Sequence, residues 1–228
     1  MIIAINGRIG HGKDTVGKLI QQFLVQHNSF WAIKKFAGKL KTIAFLLTGV
    51  PEEKFEDQEF LNSEMPSCWN YEKQTFEYNE DGNDGFTIAS MTYGKFLQKL
   101  DIDAIQDGLH SETWVNALFA DYIPKKSKNE EEEYESRLPN WIITDLRFPN
   151  EFDAVKSKGG ICIRVKRKDS NDTRKFNEVP NWNHPSETAL DYHHFDYVIN
   201  NSGTIEDLVI EVQKMLQHFK LIPDGNRN

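Results

Sequence analysis

Short apolar runs alternate along this chain with longer segments whose apolar residues recur at helical spacing. Runs of the length of buried strands occur at 1–6, 30–36, 141–145, 161–165 and 195–199. Amphipathic helical segments occur at 15–24, 39–47, 93–100, 112–122 and 204–219. This alternation predicts an α/β fold with a mostly parallel central sheet and helices on both faces, which makes three layers.

The periodicity is lost between residues 62 and 90. This stretch holds several aromatic residues and two turn pairs, Asp81-Gly82 and Asp84-Gly85. It predicts an irregular insertion with a small hairpin. We expect one domain over residues 1–228 that carries this insertion, because the chain shows neither an internal repeat nor a domain-sized linker.

A glycine-rich loop joins the first predicted strand to the first predicted helix. It has the spacing of a phosphate-binding loop and consists of Gly7, Gly10, Gly12, Lys13, Asp14 and Thr15 with the residues between them. Backbone N–H groups of such a loop surround phosphates, and its lysine reaches the terminal ones. An ordinary glycine-rich turn is the alternative, but the order of strand, loop and helix favours ATP binding.

Asp14 stands where this motif ordinarily has a hydroxyl residue. A carboxylate beside phosphates is repelled unless a cation lies between them. We therefore expect Asp14 to act through Mg²⁺ or its water shell, with the Thr15 hydroxyl near the phosphates.

A second candidate site follows the strand at 141–145. Asp145 ends this strand and Arg147 comes just before a helix that Pro149 begins. Ligands of open parallel sheets lie beyond the carboxyl ends of the strands, so both side chains should face the same crevice as Lys13. A carboxylate can hold hydrated Mg²⁺ and an arginine can clamp a phosphate, although a structural ion pair is the alternative.

Basic residues cluster at the end of the strand at 161–165 and in the residues that follow it. They predict a lid over phosphates at about 166–185, or else a solvated loop, and the candidate arginines are Arg164, Arg167 and Arg174. The chain as a whole is acidic, with a formal charge of −8, which argues against binding to polymeric nucleic acid. No apolar stretch approaches the length of a membrane span, so we expect a cytoplasmic protein. Cys68 and Cys162 are far apart and are expected to be reduced.

Five segments together carry a family resemblance: 12–15 (GKDT), 37–41 (AGKLK), 144–147 (TDLR), 186–191 (SETALD) and 195–203 (FDYVINNSG). In these segments the chain resembles the deoxynucleoside monophosphate kinases of tailed bacteriophages. More distantly it is similar to animal-type phosphomevalonate kinase. Both belong to the nucleoside monophosphate kinase group.

The resemblance implies roles for particular residues. Lys41 would contact the phosphate of the acceptor, and Asp145 and Arg147 would lie at the transfer site with Glu187 nearby. Further residues would line the nucleotide pockets, namely Asn201 and Gly203 beside the adenine of ATP and Trp114 at the acceptor base. The alternatives are a solvated helix lysine for Lys41, a helix-start carboxylate for Glu187, plain turn residues for Asn201 and Gly203, and a core aromatic for Trp114.

The implied reaction is ATP- and Mg²⁺-dependent transfer of a phosphoryl group to a deoxynucleoside monophosphate. A kinase for another phosphorylated small molecule, such as phosphomevalonate, and a non-catalytic nucleotide-binding switch are the alternatives. One departure from the family pattern concerns the acceptor, because Gln106 stands where these kinases often have an arginine. Small nucleotides as partners, a homodimer and a location in the host cytoplasm are further expectations.

Overall fold

The structure is a computed structural model that describes residues 1–78, 84–128, 134–167 and 185–224. It divides into two compact units, the first made of residues 1–36 and 115–228 and the second of residues 37–114. The predicted insertion at 62–90 lies in the second unit. The expectation that the whole chain acts as one kinase domain stays a prediction.

Nine strands and eight α-helices are present in the described residues. The strands are β1 (Ile2–Asn6), β2 (Ala32–Lys34), β3 (Tyr71–Tyr78), β4 (Asp84–Ala89), β5 (Lys125–Lys128), β6 (Tyr134–Arg137), β7 (Trp141–Ile143), β8 (Ile161–Lys166) and β9 (Tyr197–Asn200). The helices are α1 (Lys13–Gln26), α2 (Gly38–Thr48), α3 (Gln58–Asn62), α4 (Tyr93–Gln98), α5 (Thr113–Phe119), α6 (Pro149–Ser157), α7 (Pro185–Thr188) and α8 (Ile205–His218). Short 3₁₀ turns occur at Glu52–Glu56 and Ser67–Trp69, and a π-helix occurs at Lys99–Asp107.

A five-stranded parallel sheet forms the centre of the first unit, in the order β2-β7-β1-β8-β9. Strand β1 lies in the middle, with Ile3 opposite Ile142 of β7 and Ile161 of β8. Every residue of β1 is buried, because a parallel sheet with helices on both faces leaves neither face to water.

The two faces of this sheet have separate hydrophobic cores, because successive residues of a strand point to opposite sides. Ile3 and Ile5 belong to the core shared with α1 and α8. Ile2 and Ala4 belong to the core shared with α5 and α6. The predicted three-layer α/β fold of the P-loop kinase type is therefore confirmed.

The second unit is built around aromatic residues. Phe55 and Phe96 are buried in its core, the ring of Phe60 stacks on Tyr93 at 4.3 Å, and Trp69 meets Phe96 edge to face. Strands β3 and β4 pair in an antiparallel manner, which confirms the small hairpin expected between residues 62 and 90.

The structure corrects several predicted elements. The helix expected at 93–100 ends at Gln98 and continues as the π-helix, whose i→i+5 bonds do not follow the 3.6-residue period that sequence patterns reveal. The helix expected at 112–122 is shorter, since α5 covers Thr113–Phe119. Strands β5 and β6 were not predicted, because their mostly polar residues show no alternation of apolar and polar positions.

Two other expectations concern membranes and thiols. In the part of the chain that is described, no helix combines the length and the apolar character that crossing a membrane needs. Cys68 and Cys162 form no disulfide. Burial raises the pKa of the Cys162 thiol to about 12, so this side chain is an inert core residue.

Candidate active site

The glycine-rich loop leads from the end of β1 into the first turn of α1. Gly10 and Gly12 adopt left-handed backbone angles, with φ of 81° and 91°. A Cβ atom at Gly12 would also lie only 2.6 Å from the side-chain nitrogen of Asn201. That nitrogen donates to the carbonyl of His11 at 2.9 Å, so Asn201 lies directly against the loop.

Lys13 is buried at the start of α1, with 9% of its surface exposed. Its Nζ donates to the carbonyls of Gly7, at 2.6 Å, and Arg8, at 3.1 Å. Burial lowers the pKa of Lys13, and the nearby charge of Arg147 lowers it further, while the carboxylates Glu187, Asp14 and Asp145 oppose this effect. The fold thus brings Lys13 close to Asp14, Asp145, Arg147 and Glu187, all of which were candidate site residues.

The end of β7 presents Asp145 and Arg147. Asp145 Oδ1 accepts a hydrogen bond of 2.8 Å from the backbone N–H of Phe36, which links the ends of β7 and β2. The entrance to α6 is capped by Glu151, whose Oε2 accepts from the N–H groups of Arg147, at 2.7 Å, and Phe148, at 3.0 Å. Pro149 occupies the first turn, as expected.

Glu151 is a buried carboxyl group beside Asp145. Burial raises its pKa to about 8, and the charge of Asp145 acts in the same direction, whereas the two backbone N–H groups and Arg147 lower it. The net effect is a pKa well above the ordinary value for a glutamate.

Glu187 connects Arg147 to the phosphate-binding loop. Arg147 Nη1 donates to Glu187 Oε1 at 3.2 Å and to Ser186 Oγ at 3.3 Å, and Glu187 Oε2 accepts from the backbone N–H of Ile9 at 2.7 Å. The Glu187 side chain is only 5% exposed. Arg147 and Glu187 are thus one connected group rather than two separate candidates.

Asp14 lies in the first turn of α1 and contacts the ends of two strands. Its Oδ1 accepts from Thr144 Oγ1 at 2.9 Å and pairs with Lys35 Nζ at 3.3 Å. Burial alone would raise its pKa, but the Thr144 hydrogen bond and the charge of Lys35 outweigh burial and lower it. Asp14 is therefore a carboxylate at neutral pH, while the neighbouring Thr15 is exposed.

The donor atoms here suit Mg²⁺. Asp14 and Asp145 offer carboxylate oxygens, the hard ligands that Mg²⁺ prefers. Among the described residues no group of three or more His, Cys, Asp or Glu side chains could hold a metal ion. One or two carboxylates, completed by substrate phosphates and water, are the usual protein share of a Mg²⁺ site with nucleotides, so the residues present fit this ion.

The predicted lid arginines have different positions. Arg164 lies inside β8 and pairs with Asp191, so its assignment to a lid is wrong: it belongs to the central sheet. Arg167 is exposed just after β8. Arg174, with the rest of the expected lid from 168 to 184, lies outside the described residues.

The remaining candidates make local contacts. Gly203 precedes α8, where an added Cβ atom would clash with the Asp207 side chain. In the second unit, Lys41 pairs with Glu56. Trp114 Nε1 donates to Asp101 Oδ1 at 2.5 Å, and Gln106 Nε2 donates to the same oxygen at 2.7 Å.

Sequence reasoning missed three residues that contact this site: Lys35, Glu151 and Asp191. Lys35 lies near the carboxyl end of the predicted second strand, and Glu151 is placed to cap the helix that begins at Pro149, so both positions carried a readable signal. Asp191 lies four residues after Glu187, but nothing in the sequence indicated its partners.

Comparison with known proteins identifies a family to which this chain is similar. A sequence model described as deoxynucleotide monophosphate kinase matches residues 53–212, more than two thirds of the chain. The chain belongs to the deoxynucleotide monophosphate kinase family. The match begins after the phosphate-binding loop, so the loop and the family match are independent observations.

Two phage members of the deoxynucleotide monophosphate kinase family are similar to this chain. The deoxynucleotide monophosphate kinase of Enterobacteria phage T4 is 28% identical over 125 residues, which are 54% of this chain and 44% of that protein. The protein of the same name from Escherichia phage RB69 is 24% identical over 123 residues, again 54% of this chain and 44% of the relative. This chain therefore spans less than half the length of these relatives.

Proposed function

We propose that the protein is a kinase that transfers the γ-phosphoryl group of ATP to the phosphate of a deoxynucleoside monophosphate. The products are ADP and the deoxynucleoside diphosphate. The observation that carries this proposal is the single cluster of Lys13, Asp145, Arg147 and Glu187 around the phosphate-binding loop. Membership of the deoxynucleotide monophosphate kinase family supports the acceptor class.

The proposed step is a direct displacement. An oxygen of the acceptor phosphate bonds to the γ-phosphorus of ATP, and the bond from that phosphorus to the β–γ bridging oxygen breaks with its electron pair going to ADP. Negative charge spreads over the γ-phosphoryl oxygens during this transfer, so the protein's contribution is alignment and positive charge. No covalent enzyme intermediate is needed.

We assign each basic side chain of the site to one of the two substrates. Lys13 and the loop amides bind the donor phosphates, and Asn201 and Gly203 lie beside the adenine. Arg147 orients the acceptor phosphate. The family resemblance gives Lys41 a role toward the acceptor phosphate and Trp114 a role toward the acceptor base. A guanidinium suits Arg147's role because it donates two parallel hydrogen bonds to a phosphate.

We assign Asp14 and Asp145 to Mg²⁺, directly or through water. The ion, when bound to the donor phosphates, neutralises their charge. Glu187 holds Arg147 in place. Arg167 and Arg174 remain candidates for a lid that excludes water from the transferring phosphate.

The experiment that tests this proposal measures ADP formation from ATP and Mg²⁺ with each acceptor in turn. We expect one or more deoxynucleoside monophosphates to stimulate ADP formation well above the background of ATP alone. Ribonucleoside monophosphates and phosphomevalonate are tested in parallel. Stimulation by phosphomevalonate alone would mean that the acceptor is phosphomevalonate and not a deoxynucleoside monophosphate. Nucleotide binding without stimulation by any acceptor would indicate a switch instead of a kinase.

We also propose that the protein works in the cytoplasm of a phage-infected host, because both relatives described above are phage proteins. A formal charge of −8 argues against polymeric nucleic acid as a partner. A homodimer stays a prediction, which light scattering after size-exclusion chromatography would test.

A further inference from the structure

Two carboxylates four residues apart attach the segment after residue 184 to the phosphate-binding loop. Glu187 lies in α7 and accepts from the N–H of Ile9, while Asp191 lies in the turn that follows and pairs with Arg8. Between them Leu190 is 1% exposed in the hydrophobic core beneath the sheet. The buried Leu190 side chain therefore fixes the position of the turn relative to the sheet. The two carboxylates contact consecutive residues of the loop, Ile9 and Arg8.

Asp191 contacts two arginines with its two oxygens. Oδ2 lies 3.0 Å from Arg8 Nη2 of the loop, and Oδ1 lies 3.4 Å from Arg164 Nη1 of β8. Arg164 is held on its other sides, since its Nε donates to Asn6 Oδ1 at 2.7 Å and its guanidinium lies 4.4 Å from the ring centre of Phe195. Asp191 thus connects a loop arginine to an arginine that is fixed in the sheet.

Asn6 extends this connection to the end of β7. Its Nδ2 donates to the carbonyl of Leu146 at 2.9 Å, directly before Arg147. The contacts of Asn6, Arg164 and Asp191 therefore run from the residue before Arg147 to the loop. All of these contacts lie within the first compact unit.

The backbone at Arg8 and Ile9 faces the reacting groups. The Arg8 carbonyl accepts from Lys13 Nζ at 3.1 Å, and the Ile9 N–H donates to Glu187, the partner of Arg147. A displacement of this part of the loop would move the partners of Lys13 and of Glu187 together. Loop geometry of this kind affects substrate affinity because misplaced donors bind phosphates less well.

From these contacts we propose that Asp191 is a positioning residue for the donor nucleotide. It holds Arg8, and with it the Arg8–Ile9 part of the loop, at the position in which the loop binds the phosphates of ATP. Asp191 touches neither substrate nor reacting atoms, and acts through Arg8. The inference rests on the proposed function for the identity of the donor.

The experiment compares Asp191→Asn with the wild type. The substitution keeps the shape of the side chain and removes its charge, so we expect the KM for ATP to rise about tenfold, the scale of one charge-assisted hydrogen bond, with kcat changed less than about twofold. Asp191→Glu, which keeps the charge, should recover a large part of the affinity. Glu211→Gln, which removes an ion pair with Lys214 on α8, is the control and should leave both constants unchanged.

Further variants separate positioning from a merely structural role. Arg8→Gln should raise the KM for ATP in the same way, and adding Asp191→Asn to Arg8→Gln should produce no further increase in this KM, because the proposed effect of Asp191 on the loop passes through Arg8. Arg8 is partly exposed, so this variant keeps the test available if Asp191→Asn does not fold. An unchanged KM in Arg8→Gln, or additive effects in the double variant, would overturn the proposal.

Nucleotide binding measured by calorimetry separates this inference from the proposed function. If the wild type binds ATP but phosphorylates no acceptor, the kinase proposal fails, while weaker ATP binding by Asp191→Asn still supports the positioning role. Equal dissociation constants for the two proteins would contradict that role whatever the enzyme assay shows.

Discussion

The two compact units differ in where they keep their polar side chains. Among the described side chains, all four buried polar or charged residues lie in the first unit: Asn6, Lys13, Thr144 and Glu151. Asn6 and Thr144 lie at the ends of strands of the parallel sheet, and Lys13 and Glu151 lie in the first turns of α1 and α6. The second unit instead buries aromatic and methionine side chains, and its ion pair between Lys41 and Glu56 leaves Glu56 largely exposed.

This difference has an energetic meaning. Burying a charged group is costly unless partners compensate, so a unit that keeps several such groups at one edge does so for chemistry or for binding rather than for stability. An aromatic core mainly stabilises the unit that contains it. Substitutions in the first unit should therefore change turnover, and comparable substitutions in the second should mainly change stability or acceptor affinity.

The largest effect is expected from Lys13→Ala. Loss of the cation at the donor phosphates should lower kcat at least about 10³-fold, because a preorganised charge at the transferring group is lost. Phosphoryl transfer assays measure this, and circular dichroism checks that the fold is kept. Lys18→Ala, an exposed lysine of the same helix, is the control and should retain activity. Full activity in Lys13→Ala would show that the lysine of the phosphate-binding loop is not needed for phosphoryl transfer.

The next largest effect concerns Asp14. Asp14→Ser restores the hydroxyl of the general motif but removes the carboxylate that accepts from Thr144 and pairs with Lys35. We expect kcat to fall about tenfold, the scale of one charge-assisted contact, and the Mg²⁺ concentration for half-maximal rate to rise. Asp14→Asn keeps an acceptor for Thr144 without the charge, and so separates the two contributions. An unchanged rate and Mg²⁺ dependence in Asp14→Ser would show the carboxylate to be incidental.

These first two variants indicate what could be predicted from the sequence. Lys13 lies in the loop region that follows the first buried strand, and Asp145 and Arg147 lie at and just after the end of another predicted strand. The carboxyl ends of parallel strands meet at one edge, so the pattern alone placed these residues together. The contact of Asp14 with Lys35 was not predictable in this way, because it depends on β2 being the neighbour of β7 in the sheet.

Longer-range partners were beyond pattern reasoning for the same reason. Glu187 and Ile9 are 178 residues apart, and Asp191 and Arg8 are 183 apart. Only the completed order of strands decides which such residues meet. The error over Arg164 arose within a short segment of sequence. A run of neighbouring basic residues was assigned to one lid, although the run begins inside strand β8.

A third prediction concerns the pH dependence of stability. Glu151 has a pKa of about 8 in the folded protein, above its ordinary value of 4.5, so the folded state holds a proton that the unfolded state releases. Its contribution to stability is present in full below pH 4.5 and is lost as the pH rises to about 8, with a slope of up to about 1.4 kcal/mol per pH unit.

Glu151→Gln, which keeps the acceptor oxygen but cannot ionise, should remove this pH dependence. Urea unfolding of both proteins at several values between about pH 5 and 8.5 measures it. The Gln variant should lose less stability than the wild type as the pH rises through this window. Parallel curves for the two proteins would mean that Glu151 is ionised in the folded state throughout.

The smallest effect is expected in the second unit. Trp114→Phe removes the N–H that donates to Asp101, and should lower the free energy of unfolding by about 1 kcal/mol. If Trp114 also lines the acceptor base pocket, the KM for the monophosphate rises while the KM for ATP does not change. Trp69→Phe makes the same exchange at another aromatic of this unit and is the control. A KM for the monophosphate equal to that of the wild type would mean that Trp114 is a core residue and does not line the base pocket.

The central position of β1 affects how the protein is synthesised. Its neighbours are β7, which begins at Trp141, and β8, which begins at Ile161. At about 5–20 residues per second, the ribosome needs roughly 7 to 27 seconds after β1 before it reaches β7. During that time a strand whose five residues are all buried in the finished protein has no partner on either side. The nascent chain therefore carries an aggregation-prone apolar segment until β7 and β8 are made, and chaperones that shelter such segments should raise the yield of active protein.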